Sequence, residues 1–132
     1  MGIVEKIWIN KEKGELNPLA FSELAQNLAK KISESGGRNK NKPSQIRKYY
    51  DTIFKLNERA KMVGANFNSI LVELNRELAL LYYALGREKV TEEFVKMMEE
   101  LIKSVKNSED LNVITQFLEC FMAFYKCYRP KD

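Results

Sequence analysis

The chain has 132 residues, 45% apolar and 30% charged, with a formal net charge of +4. A chain of this length and balance is expected to form one soluble globular domain that buries about two-thirds of its unfolded surface without a disulfide or metal. It contains no histidine, which removes Ser-His and Cys-His nucleophile pairs, histidine metal ligands and the usual general base of metal-independent ribonucleases.

Residues 1–16 show no sustained period. Ile3, Ile7, Trp8 and Ile9 are apolar but are followed by Lys-Glu-Lys-Gly-Glu, so the segment reads as a flexible arm, loosely packed or docked on a partner. It has no basic stretch ahead of an apolar core, so no secretory leader is expected. Lys6 stands where a myristoylation signal requires Ser or Thr. The expected location is the cytoplasm.

Asn17 before Pro18 predicts a helix start, cap then first position. Leu19, Leu24, Leu28 and Ile32 carry this helix to about Glu34, and Gly36-Gly37 end it. Gly36 to Pro43 is a basic loop with no apolar residue, which predicts mobility. It serves either as a phosphate-binding loop or as a solvated linker.

The segment Ser44 to Ala60 follows. At about 100° per residue, Ile46, Tyr49, Ile53, Leu56 and Ala60 share one side, and Lys48, Lys55 and Arg59 fall in a band opposite, with Arg47 at its border. Tyr50 and Phe54 lie on the rim between the two faces. Such a helix either is an ordinary surface helix with solvated lysines or holds a phosphate backbone along its basic face. The surrounding charge favours the second. Residues 30–61 carry ten basic and three acidic side chains, a net +7, leaving −3 for the remainder. One concentrated basic quarter on a neutral-to-acidic body is an electrostatic footprint for a polyanion.

Gly64 is expected to end this helix, and Asn66 or Asn68 to cap the next. Ile70, Leu71, Leu74, Leu78, Leu81, Tyr82 and Leu85 form its apolar stripe, while Arg76, Tyr83 and Arg87 share the opposite side with Val72, Ala79 and Leu80 nearby. A helix apolar beyond one core contact implies a second packed surface. Thr91 is expected to cap a fourth helix, with Glu92 and Glu93 in its first turn. Ser108 is expected to cap the last, which is apolar nearly all round from Leu111 to Tyr128. That last helix is either central in the bundle or half of an oligomer interface. Cys120 and Cys127 lie on it roughly 10 Å apart, too far for a disulfide, and are read as small buried apolar residues.

The fold expected is all-α, a bundle of about five helices in a single domain spanning residues 1–132. No Gly-rich phosphate loop followed by Lys-Ser or Lys-Thr and no Gly-x-Gly-x-x-Gly is present. The acid pairs Glu92-Glu93, Glu99-Glu100 and Glu109-Asp110 diverge by about 100° on a helix, so neither member shares a site with the other. No enzymatic activity, cofactor or metal is expected.

Ser44-Gln-Ile-Arg-Lys-Tyr-Tyr-Asp51 resembles the segment that opens a principal helix in the small-subunit family of type III-A CRISPR effector (Csm) complexes. Leu78 to Arg87, Leu-Ala-Leu-Leu-Tyr-Tyr-Ala-Leu-Gly-Arg, is similar to that family's later Tyr-Ala-x-x-Arg stretch. The resemblance implies a non-catalytic, all-helical subunit of an RNA-guided interference complex. Several copies would stack along a filament beside the guide RNA and its single-stranded target RNA, among the other subunits. It assigns RNA contact to Arg47, Lys48 and Arg87. The helical-face argument adds Lys55 and Arg59, and the basic loop adds Arg38, Lys40 and Lys42. Self-association as a homodimer in the free state, through the last helix, is also expected. The rival readings are a helix-turn-helix DNA-binding protein and a helical oligomerisation or adaptor protein.

Overall fold

The computed structural model describes residues 2–132. A short helix α1 (Val4–Ile7) leads into strands β1 (Trp8–Asn10) and β2 (Glu15–Leu16). A 3-10 turn at Pro18–Phe21 precedes α2 (Glu23–Ser35). The helices α3 (Pro43–Ala60), α4 (Phe67–Gly86), α5 (Glu92–Lys103) and α6 (Ser108–Tyr128) follow. The all-α expectation holds for the body. The only sheet among the described residues is the antiparallel β1–β2 pair, with Trp8 opposite Leu16 and Asn10 opposite Glu15.

Helix α6 is the centre of the bundle, packed against α2, α3 and the 3-10 turn, while α4 bridges α3 and α5. Its Leu111, Ile114, Phe117, Leu118, Phe121 and Tyr125 are all buried. Phe121 stacks on Tyr125 at 5.5 Å between centroids, and Phe117 meets Phe21 edge-on at 6.3 Å. Of the two expectations for this helix, the central position is the one observed. Met122 and Phe124 are only partly buried, Tyr128 is exposed, and Cys127 on the outer side is exposed rather than buried.

The arm is packed, not loose. Ile3, Ile7 and Trp8 are buried, the Ile3 amide donates to the Glu100 carboxylate at 2.9 Å, and Lys11 reaches Asp110 at 2.8 Å. Lys11 also lies 5.1 Å from the Trp8 ring centroid. Three apolar residues with no period were enough, because α1 packs on the 3-10 turn while Glu100 and Asp110 supply partners for Ile3 and Lys11.

Two helix starts differ from expectation. Asn17 does cap, accepting from the Leu19 amide at 3.2 Å, but the turn it opens is 3-10. The chain then redirects at Ser22, so α2 begins only at Glu23. At α6 the cap is Asn107, which accepts from the Asp110 amide at 2.8 Å, and Ser108 is already helical. Asn66 caps α4 as expected, accepting from the Ser69 amide at 3.2 Å.

Candidate nucleic-acid interface

The basic loop between α2 and α3 is anchored rather than mobile, and one residue does most of the anchoring. Asn41 is fully buried, in left-handed backbone at φ 56°, a conformation Asn tolerates better than most residues. Its side-chain amide donates to the Ser35 and Thr91 hydroxyls at 3.0 and 2.8 Å and lies 3.2 Å from the Ile32 carbonyl. Its side-chain oxygen accepts from the Thr91 amide at 3.0 Å. Thr91 therefore begins α5 with its hydroxyl turned to Asn41 and Ser35 instead of capping its own helix. The Asn41 amide donates to the Lys89 carbonyl at 3.0 Å, and the buried Tyr125 hydroxyl donates to the Asn41 carbonyl. From outside, the Arg129 guanidinium donates to the Arg38 and Lys40 carbonyls.

Gly36 fits this arrangement because a Cβ there would meet Lys40 Cβ at 2.6 Å and Thr91 Cγ2 at 2.9 Å. Gly37, at φ 64°, supplies the left-handed turn. The loop's polarity, which signalled mobility in the sequence, is absorbed by hydrogen bonds. Its Arg38 and Lys42 side chains face outward and Lys40 is half-exposed.

Helix α3 buries Ile46, Tyr49, Ile53 and Leu56 as the pattern requires, with Tyr49 set against Phe94 at 6.0 Å between centroids. The packing divides its cations into two groups. Arg47 lies beside Tyr50 on the side toward α6, where both line a cleft. Its nearest acid is Asp51, at 3.9 Å. Lys48, Lys55 and Arg59 lie toward α4. Lys48 extends over the Tyr49 ring at 5.7 Å, and Lys55 has no ion-pair or hydrogen-bond partner among the described residues.

Arg59 is differently placed. It forms a two-pronged pair with Glu73 on α4, at 2.9 and 2.8 Å. The hydrogen bond to Glu73 raises the guanidinium pKa, and the same bond lowers that of the carboxyl. Arg59 is thus an interhelical tie, with its charge largely met within the chain. Glu73 lies on the next helix, beyond the reach of a reading confined to α3.

Arg87 sits just past α4, its guanidinium 5.7 Å from the ring of the exposed Tyr83. The adjoining turn carries Lys89, whose carbonyl receives the Asn41 amide. The turn after α4 and the basic loop therefore share one end of the bundle. Arg38, Lys40 and Lys42 lie on the anchored loop, and Arg47, Lys48 and Lys55 are exposed on α3. Asn41 and Arg129, which hold the loop in place, gave no periodic or compositional signal.

Glu77 on α4 is buried, with no hydrogen-bond partner among the side-chain contacts described; burial raises its pKa and the charge of Lys48 partly offsets this. Outward on α4, Val72, Leu80, Tyr82 and Tyr83 are exposed. Tyr82, expected on the core stripe, is instead at the surface, its hydroxyl donating to Glu99 on α5 at 2.6 Å. Among the described residues no group of three or more His, Cys, Asp or Glu side chains is placed to hold a metal ion, and no helix is long and apolar enough to cross a membrane.

These features define a small helical-bundle protein whose cations cluster on α3 and the loop before it, with several exposed apolar side chains on α4. A family model described as Csm2 Type III-A matches residues 19–131. The chain belongs to the Csm2 family: it is a small subunit of the type III-A CRISPR complex, a component that assembles with the other Csm subunits. No curated protein and no solved structure matches the chain significantly. The family match begins at Leu19, so the packed arm lies outside it.

Proposed function

We propose that this subunit is non-catalytic and binds guide and target RNA through phosphate and sugar, without reading base sequence, while contributing to the filament of the complex. The observation that carries the reading is the run of outward cations on α3, Arg47, Lys48 and Lys55, next to a basic loop that the bundle holds in one conformation. Contacts of this kind position a nucleic acid without specifying its sequence. Several copies along one strand add weak contacts together. The exposed Val72, Leu80 and Tyr83 of α4 are proposed to meet a neighbouring subunit, because most of the large apolar residues of α6 are buried in the core.

The test is binding of the full chain to mixed-sequence single-stranded RNA across a salt series. Three or four phosphate contacts give a slope of log affinity against log salt of about −2 to −3. K48A/K55A lowers the affinity and flattens the slope by about 1.4, with no change in sequence preference. Equal affinity at low and high salt would overturn the reading.

A further inference from the structure

A cleft of about 460 Å³ opens between the first turns of α3 and the last turns of α6. Its walls are apolar and aromatic: Pro43, Tyr50, Met122, Ala123 and Tyr125. Tyr50 is half-buried, its ring 6.1 Å from that of Phe54, while Tyr125 belongs to the core. Three charges, Arg47, Lys126 and Glu119, also line it.

Ser44, at the end of the cleft where α3 begins, holds an anion. Its amide and hydroxyl both donate to the Asp132 carboxylate, at 2.9 and 2.5 Å. These two bonds lower the pKa of Asp132, and the charges of Lys42 and Arg129 act in the same direction. An acid group seated on the first free amide and the hydroxyl at a helix start occupies a position that a phosphate oxygen can take.

An aromatic wall next to an anion position suits one kind of ligand. We infer that the cleft accepts an unpaired nucleotide of single-stranded RNA, its base against Tyr50 and its phosphate displacing Asp132 from Ser44. This rests on the RNA-binding reading above and deepens it, since it separates single strands from duplexes. A base held in a duplex stack cannot enter, whereas a free base has both faces available for stacking. Glu119 is compatible with this ligand in spite of its charge. Every base carries at least one N–H donor on its Watson–Crick edge, so a carboxylate here accepts from any of them and imposes no strong sequence choice. Arg47 and Lys126 offset its repulsion of the backbone.

The test compares the full chain with Ala123→Trp and Asp132→Ala, using a mixed-sequence single strand containing 2-aminopurine and a blunt duplex of the same sequence. Ala123 is exposed on α6, so a Trp there fills the cleft from outside, and a circular dichroism melt confirms that the variant folds. The expected result is about a tenfold loss of single-strand affinity in A123W, the scale of one stacked base, with duplex affinity unchanged. The 2-aminopurine fluorescence is quenched on binding to the wild type and less so with A123W. D132A, which leaves the cleft walls intact, strengthens single-strand binding by removing the internal competitor.

If A123W binds the single strand as tightly as the wild type, or loses single strand and duplex equally, the base cleft is wrong while the phosphate-binding reading stands. Unchanged or weaker binding by D132A rules out the proposed phosphate position. Failure of the wild type to bind either RNA at low salt overturns the proposed function together with this inference.

Discussion

Replacing Asn41 by Ala tests how the loop is held. The substitution deletes the side-chain contacts to Ile32, Ser35 and Thr91 and leaves the buried Thr91 amide without its acceptor. An orphaned buried donor costs about 1–3 kcal/mol, and the other lost hydrogen bonds about 1 kcal/mol each. Holding Ala in the left-handed conformation that Asn41 adopts adds roughly 1 kcal/mol. The sum, about 4–6 kcal/mol, is a large fraction of the total stability of an ordinary domain. At about 4 °C per kcal/mol, N41A should melt roughly 16–24 °C below the wild type. N41G loses the same hydrogen bonds but not the backbone conformation, so it should recover about 1 kcal/mol relative to N41A. Urea unfolding followed by circular dichroism gives both numbers. A destabilisation below about 1 kcal/mol in N41A, or a glycine variant less stable than the alanine one, would refute this account of the loop.

Glu77 gives a pH signature. Burial raises its pKa, so the folded state holds its proton more tightly than the unfolded chain. The associated stability is present below the unfolded carboxyl pKa and is lost as pH rises through the folded one. Glu77→Gln should therefore raise the melting temperature at neutral pH and leave it nearly unchanged at pH about 4; equal shifts at both pH values would exclude ionisation as the cause. Glu73→Gln frees Arg59 from its tie, and low-salt RNA binding should strengthen in a filter-binding assay, with little change in melting because the pair is exposed. Ile7→Ala leaves a cavity beneath the arm and should destabilise the chain by about 2–5 kcal/mol. The fluorescence of Trp8, the single tryptophan, should report the same unfolding transition as circular dichroism; an earlier Trp8 transition would show that the arm is not part of the cooperative unit.

The long helices were readable from the sequence because each buries one stripe: Ile46, Tyr49, Ile53 and Leu56 on α3 recur at helical spacing and are all buried. Periodicity fails where contacts are polar or single. Nothing in Gly-Gly-Arg-Asn-Lys-Asn-Lys-Pro distinguishes Asn41, fully buried, from Asn39, which is exposed. The partners that distinguish them are on α2, α5 and α6, as far as 84 residues away. For a related reason the arm reads as loosely packed or docked on a partner: a segment of 15 described residues has no face of its own, and its contacts are on the 3-10 turn, α5 and α6. For the candidate site, the positions of the cations on α3 followed from the sequence. The loss of Arg59 to Glu73 did not, because charge pairing between helices depends on how α4 lies against α3. Cys127 shows the limit of composition: a residue type that is usually buried lies on the outer side of a central helix.

The anchoring of the basic loop also bears on the thermodynamics of association. A disordered segment that orders on a ligand gives up about 1–2 kcal/mol of backbone entropy per residue at that moment, which weakens binding. Here the ordering accompanies folding, since Asn41 and Arg129 fix the backbone whether or not a polyanion is present. A rigid set of outward charges should show a favourable entropy from released counterions with little opposing conformational term. It also leaves the outward side chains of Arg38 and Lys42 exchangeable for other charges while the fold beneath them stays the same.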